Sequence, residues 1–187
     1  GLLYRASDGV ALRAAAYSGL RLPTLNELYR PFVVFPVVTQ ANAALENERL
    51  EGFELGVDVT PTPGVGLSLT AFDNRVKNAV ANVTLDTNLR QRRNIDAVHA
   101  RGIEASISAT LGEVSFDASA AWTDAEAQGS GFAAALDGNR PSQTPRFVAG
   151  ATLAWRPAEN WLVSTTLRHV GAQFVDDLEN DLLPAAT

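Results

Sequence analysis

Few residues in this sequence are of types and spacings that could carry chemistry. His99 and His169 stand far apart, with no second imidazole or thiolate at ligand spacing, so each is read as an ordinary strand residue. Asp176-Asp177, with Glu179 and Asp181, offers the oxygen ligands a hard cation takes, although a solvated acidic loop has the same composition and is the plainer reading. Arg90, Arg92 and Arg93 carry guanidinium forks suited to an anionic ligand or a lipid phosphate, again against the plainer reading of a solvated loop. The chain has no cysteine, which removes disulfides, thiolate metal sites and cysteine nucleophiles together. No nucleophile elbow, Walker-type or dinucleotide loop is present, and Gly64-Val65-Gly66 is a turn leading into a strand. The expectation is no enzyme, no resident cofactor and no metal site.

The stretch around which the chain is organised runs from Tyr17 to Tyr29, Tyr17-Ser18-Gly19-Leu20-Arg21-Leu22-Pro23-Thr24-Leu25-Asn26-Glu27-Leu28-Tyr29. Gly19 permits a bend as a strand ends. Pro23 withholds a ladder donor and forces Leu22 into an extended conformation, so pairing stops there. Thr24-x-x-Glu27 has capping-box spacing, which predicts a short helical turn carrying Leu25, Leu28 and Tyr29.

Composition narrows the class. Of 187 residues, 46% are hydrophobic, which argues against disorder. Only 19% are charged, with 15 basic against 21 acidic residues, and a net charge of −6 makes a nucleic-acid partner unfavourable. No run of about eighteen apolar residues appears, so no membrane helix is expected. Nor does Gly1-Leu2-Leu3-Tyr4-Arg5 have the layout of a signal peptide. Leu2–Ser7 already has strand character and Leu182–Thr187 stops in mid-phrase, so the expectation is a piece of a longer protein.

The dominant period is two. Val10, Leu12, Ala14 and Ala16 oppose Ala11, Arg13, Ala15 and Tyr17. The same alternation runs through Glu48–Thr60, residues 65–72, 102–111, 114–123 and 146–155, and resumes at Trp161. Connections alternate short and long: Asp8-Gly9, 61–64, 112–113 and 157–160 are short, whereas 20–47, 79–93, 127–143 and 174 onward are long. The non-apolar faces are small and polar. Long strands, apolar-out and polar-in, with tight turns at one end and long loops at the other, predict an all-β, antiparallel transmembrane β-barrel. Trp155 and Trp161 flank one short turn, where an interfacial girdle would sit, and Phe72 and Trp122 fall near loop-side strand ends. A soluble antiparallel sandwich also alternates, but its strands are usually about five or six residues long.

With that class in hand, the Tyr17–Tyr29 stretch resembles the signature of TonB-dependent outer-membrane receptors, in their C-terminal barrel region. Asn42 and Leu45, then Glu48, Glu54 and Gly56, resemble the segment that returns to the barrel after the long loop. Phe72-Asp73-Asn74-Arg75-Val76-Lys77-Asn78 resembles the aromatic-Asp strand end that follows, and Asn94-Ile95-Asp96-Ala97 with Gly102-Ile103-Glu104 the next descending strand. Pro145-Arg146-Phe147 and Gly150 resemble the strand after the third long loop. Ala43 and Asn47 depart from the pattern, standing where the family often has prolines.

The resemblance implies a 22-stranded barrel holding an N-terminal plug. Residues 1–187 would supply about eight of its strands, without the plug or the closing strands. It further implies an outer-membrane receptor of a Gram-negative bacterium that imports a scarce nutrient with energy from the inner-membrane TonB complex acting on the missing plug. The cargo would be a ferric siderophore, with cobalamin, haem or sugars as other candidates. A passive porin, or a structural or adhesive outer-membrane β-protein, is the alternative. Lumen-facing candidates are Arg13, Tyr17, Glu54, Asp58, Glu104 and Asp117, which lie opposite the apolar faces. Facing mid-bilayer lipid would cost a lysine or arginine about 2–4 kcal/mol. Ligand-contact candidates are the loop residues Tyr29, Phe32, Phe35 and Arg92.

Overall fold

The computed structural model describes residues 1–187. Its strands are β1 (Leu2–Ser7), β2 (Val10–Arg21), β3 (Phe32–Val34), β4 (Val37–Gln40), β5 (Glu48–Thr62), β6 (Val65–Lys77), β7 (Val80–Asp86) and β8 (Leu89–Asn94), followed by β9 (Ala97–Leu111), β10 (Val114–Gln128), β11 (Phe147–Ala158), β12 (Trp161–Val170), β13 (Gln173–Phe174) and β14 (Leu182–Leu183). A helix, α1, spans Leu25–Tyr29, and a 3-10 helix spans Gly131–Leu136. Eight strands form one open antiparallel sheet in the order β1-β2-β5-β6-β9-β10-β11-β12. No helix is long and apolar enough to cross a membrane.

The sheet has two chemically distinct faces. Across it, Leu12, Val57, Leu69, Ala105, Ala120 and Ala149 fall in one cross-strand row. The neighbouring row, displaced by one residue, contains Asp58, Ser68, Ser106, Ser119, Gly150 and Arg168. Because successive side chains point to opposite sides, these rows define an apolar and a polar face. The apolar side chains are open to their surroundings, with Leu55 at 52%, Leu67 at 40% and Leu153 at 46% exposure. A wall of this kind gains stability only when a second apolar phase covers it.

Phe147 and Trp155 lie on the apolar face of β11, separated by about 26 Å at a rise of roughly 3.3 Å per residue. At the tilt of about 40° usual for barrel strands, that is about 20 Å of height, near the apolar band of roughly 25 Å expected of a transmembrane wall. Phe147 pairs with Trp122 at the upper level. At the lower, Trp161 shares the face of Trp155 through β12.

Above the upper level the alternation changes phase. On β10 the apolar face ends at Trp122 and continues as Asp124 and Glu126, while the opposite face becomes Ala125 and Ala127, both buried. β6 behaves alike, with Arg75 and Lys77 outside and Val76 inside, and so does β5, with Arg49 and Glu51 outside and Leu50 inside. The cause is a small dry core at the loop end. Ala79, Val83, Ile95, Ala127, Ala133 and Leu136 are buried together, and Val76 and Val98 pack against them. This inversion explains why β6, β9 and β10 each extend five residues beyond the reach of their simple alternation.

Two expectations need correction. Gly19 is not a bend at a strand end: it pairs with Leu50 inside β2, which runs on to Arg21. Phe72 does not join an interfacial girdle. It pairs with Gly102 on the polar face, and its ring covers that glycine.

Candidate functional site

Two regions hold the functional candidates: the polar face of the wall and the loop crown above it. Arg13, Tyr17, Glu54, Asp58, Glu104 and Asp117 all fall on the polar face by register. Four of them are brought into contact. Arg13 donates through Nε to Asp58 Oδ2 at 2.6 Å and through Nη2 to Ser68 Oγ at 3.0 Å and Thr70 Oγ1 at 3.1 Å. Ser68 in turn donates to Asp58 Oδ1 at 2.8 Å. Tyr17 donates its hydroxyl to Glu54 Oε1 at 2.7 Å and lies 2.8 Å from the Asn74 side-chain amide.

Glycine makes room for these long side chains. Arg13 stands opposite Gly56, Tyr17 opposite Gly52 and Phe72 opposite Gly102. A Cβ at Gly56 would lie 2.8 Å from the Arg13 guanidinium, and one at Gly102 would lie 2.7 Å from the Phe72 ring. Each large side chain therefore lies flat across its neighbour strand instead of projecting away, covering a glycine as aromatic residues do in engineered sheets. Glu104 and Asp117 are exposed beside Ser106, Ser108, Thr152 and Arg168, along an open trough of about 930 Å³.

The crown is built from the long connections. β3, β4, β8 and β7 form a second sheet in that order, and its β4–β8 pairing is parallel. The connections 20–47 and 79–93, expected as separate loops, thus contribute to one unit. The arginine-rich β8 is not evident as a strand from its sequence because its pairing partners, β7 and β4, decide its conformation rather than intrinsic preference.

The capping box expected at Thr24 is present: Thr24 N donates to Glu27 Oε2 at 2.7 Å, and Glu27 N to Thr24 Oγ1 at 3.3 Å. Arg21 bridges Glu27, at 3.1 Å, and Glu48, whose Oε1 accepts from Val80 N at 2.6 Å. Helix α1 is thereby tied to the top of the wall and to the start of β7. Burial pushes the Glu27 carboxyl up, but the Thr24 N–H, the Arg21 guanidinium and the Thr24 hydroxyl outweigh it and hold the group below its usual range.

The four ligand-contact candidates divide. Tyr29 and Phe35 are open, at 66% and 93% exposure. Phe32 and Arg92 are together, with the guanidinium carbon 4.9 Å from the ring centroid. Arg92 Nη1 also donates to Asn26 O at 2.7 Å and Arg30 O at 3.4 Å, so it satisfies carbonyls at the end of α1. Arg93 and Phe132 are not among those candidates, yet the guanidinium lies 4.3 Å from the ring centroid. With Asn42, Glu46, Gln91 and Asn94 they line an open cavity of about 400 Å³. The arginine run points to Arg93, whereas nothing local distinguishes Phe132.

The acidic loop is a structural element. Asp176 Oδ1 accepts from Leu178 N and Asn180 Nδ2, Asp177 Oδ1 from Ser142 N, and Glu179 Oε1 from Arg140 N. These carboxylates satisfy separate donors and do not converge on one point. His99 lies 3.0 Å from Asp73, and His169 lies beside Phe147 and Thr187, so the two histidines serve unrelated contacts.

The family model described as "TonB dependent receptor-like, beta-barrel" matches residues 1–187. Among curated proteins, none matches this chain. Solved structures with the same fold include a variant of the ferric enterobactin receptor PfeA of Pseudomonas aeruginosa, with TM-score 0.71, 18% identity, and coverage of 98% of this chain and 30% of that one. BauA, the ferric preacinetobactin receptor of Acinetobacter baumannii, gives TM-score 0.71 at 19% identity over 98% of this chain and 27% of its own. The copper transporter OprC gives 0.73 at 17% identity, over 98% and 28%. The chain therefore spans less than a third of the length of these receptors and transporters.

Proposed function

This chain belongs to the TonB-dependent receptor family of β-barrels, and from that premise we propose that the protein it is part of is an outer-membrane nutrient receptor. It would bind a ferric siderophore at the surface of a Gram-negative cell and import it with energy from the inner-membrane TonB complex. Residues 1–187 would form one sector of the barrel wall, and the plug on which TonB acts, like the closing strands, would lie elsewhere in the protein. The observation that carries this reading is a two-faced wall whose apolar band is about 20 Å tall, roofed by a hydrogen-bonded loop sheet. Lipid would cover the apolar face. Arg13, Tyr17, Glu54, Asp58, Glu104 and Asp117 would face the lumen and the plug.

The iron-chelate cargo is supported by the ferric enterobactin and ferric preacinetobactin receptors that share the fold, and the copper transporter that shares it supports a second metal as an alternative cargo. Tyr29 and Phe35 offer open aromatic surface on the crown, while Phe32 and Arg92 would shape it. Growth of a strain lacking the gene tests the proposal. Loss of growth on a ferric siderophore as sole iron source, restored by the gene but not by the gene lacking residues 30–45, supports it. Unchanged growth of the deleted strain on every siderophore supplied overturns the iron assignment.

A further inference from the structure

A cavity of about 230 Å³ lies where the start of β7 meets the connections that follow β10 and β13. Its floor belongs to the dry core at the loop end: Ala79, Ile95, Ala127 and Leu136 are all buried. Its lip is polar and half-buried, and consists of Asn82, Arg140, Ser142 and Asp177. Ala127 and Val98 pair on the inner side of the wall, above the apolar band, so the cavity lies where lipid does not reach.

The loop that carries the lip is fixed through its backbone, which leaves its side chains free. Arg140 N donates to Glu179 Oε1 at 2.8 Å, and Ser142 N donates to Asp177 Oδ1 at 3.0 Å. The Arg140 guanidinium stands 5.5 Å from the centroid of Phe174 and forms no ion pair. The Asn82 amide and the Ser142 hydroxyl make no hydrogen bond within the chain. Asp177 is the one acid at the lip, and the Ser142 N–H already engages it. Three free donors over an apolar floor suit a flat group with an apolar body and electron-rich oxygens along one edge. The size fits as well: an apolar cavity of about 150 Å³ holds a benzene ring, so this one has room for a ring and its oxygens. The ring enters apolar edge first, and its oxygens stay at the lip. An aliphatic arm presents no such body to the floor.

We propose that this cavity is a subsite for one aromatic arm of the cargo, a phenolate or catecholate ring whose oxygens are held by Arg140, Asn82 and Ser142. The proposal rests on the reading of the protein as an iron-chelate receptor and narrows the cargo to chelates with aryl-oxygen ligands. The test uses the purified full-length protein in detergent and two probes, a ferric tris-catecholate and an aliphatic ferric tris-hydroxamate. Calorimetry is expected to show catecholate binding that Arg140→Gln weakens roughly tenfold, the loss of one charge-assisted contact. Arg156→Gln, at the far end of β11, is expected to bind as wild type. In a second measurement, Ser142→Cys in a cysteine-free background is labelled with a maleimide. Catecholate at about ten times its dissociation constant should slow labelling roughly tenfold, and the hydroxamate should not. Catecholate affinity unchanged by Arg140→Gln, labelling that the catecholate leaves unchanged, or tighter binding of the hydroxamate overturns the subsite while leaving the receptor reading in place. Labelling blocked without any probe means that the protein's own plug fills the cavity, and also overturns the subsite. Binding of neither probe overturns the iron-chelate reading and the subsite with it. Should Arg140→Gln not fold, the labelling decides alone.

Discussion

The ring of Tyr17 lies across the backbone of Gly52, its partner on the neighbouring strand, so closely that a Cβ there would be 2.6 Å from Tyr17 Cζ. The glycine lets the phenol lie flat, and lying flat brings its hydroxyl to Glu54 and Asn74. Gly52→Ala is therefore expected to destabilise the barrel by about 1–3 kcal/mol through overpacking. Tyr17→Ala in the same chain should relieve the part of that loss due to the ring, the Asn74 side-chain oxygen also lying against the new Cβ. A double-mutant cycle, read by urea unfolding of the full-length protein in detergent, checks the coupling. Additive losses would show that the ring and the glycine are independent.

The register makes a sharper test of which face meets lipid. Ile107 and Ser106 are adjacent on β9 but point to opposite faces, in rows with Leu67 and Ala118 and with Ser68 and Ser119 respectively. Ile107→Arg should cost about 2–4 kcal/mol in bilayer-reconstituted protein, as expected for a charge at mid-bilayer depth. Ser106→Arg should cost much less, because its side chain enters the polar trough. Unfolding titrations in phosphatidylcholine vesicles compare the two, and the reverse order would exchange inside for outside.

Arg92 is a ligand-contact candidate by sequence, yet its guanidinium also holds Asn26 O and Arg30 O and stacks on Phe32. Arg92→Ala should raise hydrogen exchange in α1 and β3 even without ligand, and should weaken cargo binding roughly tenfold, the loss of one charge-assisted contact. Exchange unchanged in the absence of cargo would make Arg92 a pure contact residue.

Glu27 anchors α1 to the wall through Arg21. Its carboxyl is held below the ordinary value of 4.5, so the folded crown prefers the ionised form. The stabilisation is complete above the unfolded value and is lost as pH falls through the lower, folded one. Protection of the Leu28 N–H, which donates to Thr24 O at 3.0 Å, should be constant from neutral pH down to about 5 and decline below the ordinary carboxyl range. Glu27→Gln should remove that dependence. Protection that weakens on raising the pH would refute the sign.

Much of the wall is legible in the sequence because one physical rule governs it: where one face meets an apolar phase, every second residue reports it. Thr24 and Glu27 are legible for a similar reason, since a capping box is local chemistry. The rule fails at Asp124-Ala125-Glu126-Ala127. There the strand persists but the dry side has moved to the other face, so the pattern reads as a loop. The crown is hidden by a different cause. The parallel pairing of Val38 with Leu89 joins residues remote in sequence, and no local period marks such a contact. Phe132 reaches Arg93 in the same way, through tertiary packing alone.

Import of a metal chelate by the full-length protein with TonB-supplied energy is what we propose. It is tested most directly by uptake of radiolabelled iron, supplied as a ferric siderophore, into cells that lack the native gene and carry it on a plasmid, with and without a functional TonB. The account predicts that the plasmid restores uptake and that loss of TonB abolishes it. Uptake that is restored but proceeds equally well without TonB would contradict the account and identify a passive pore.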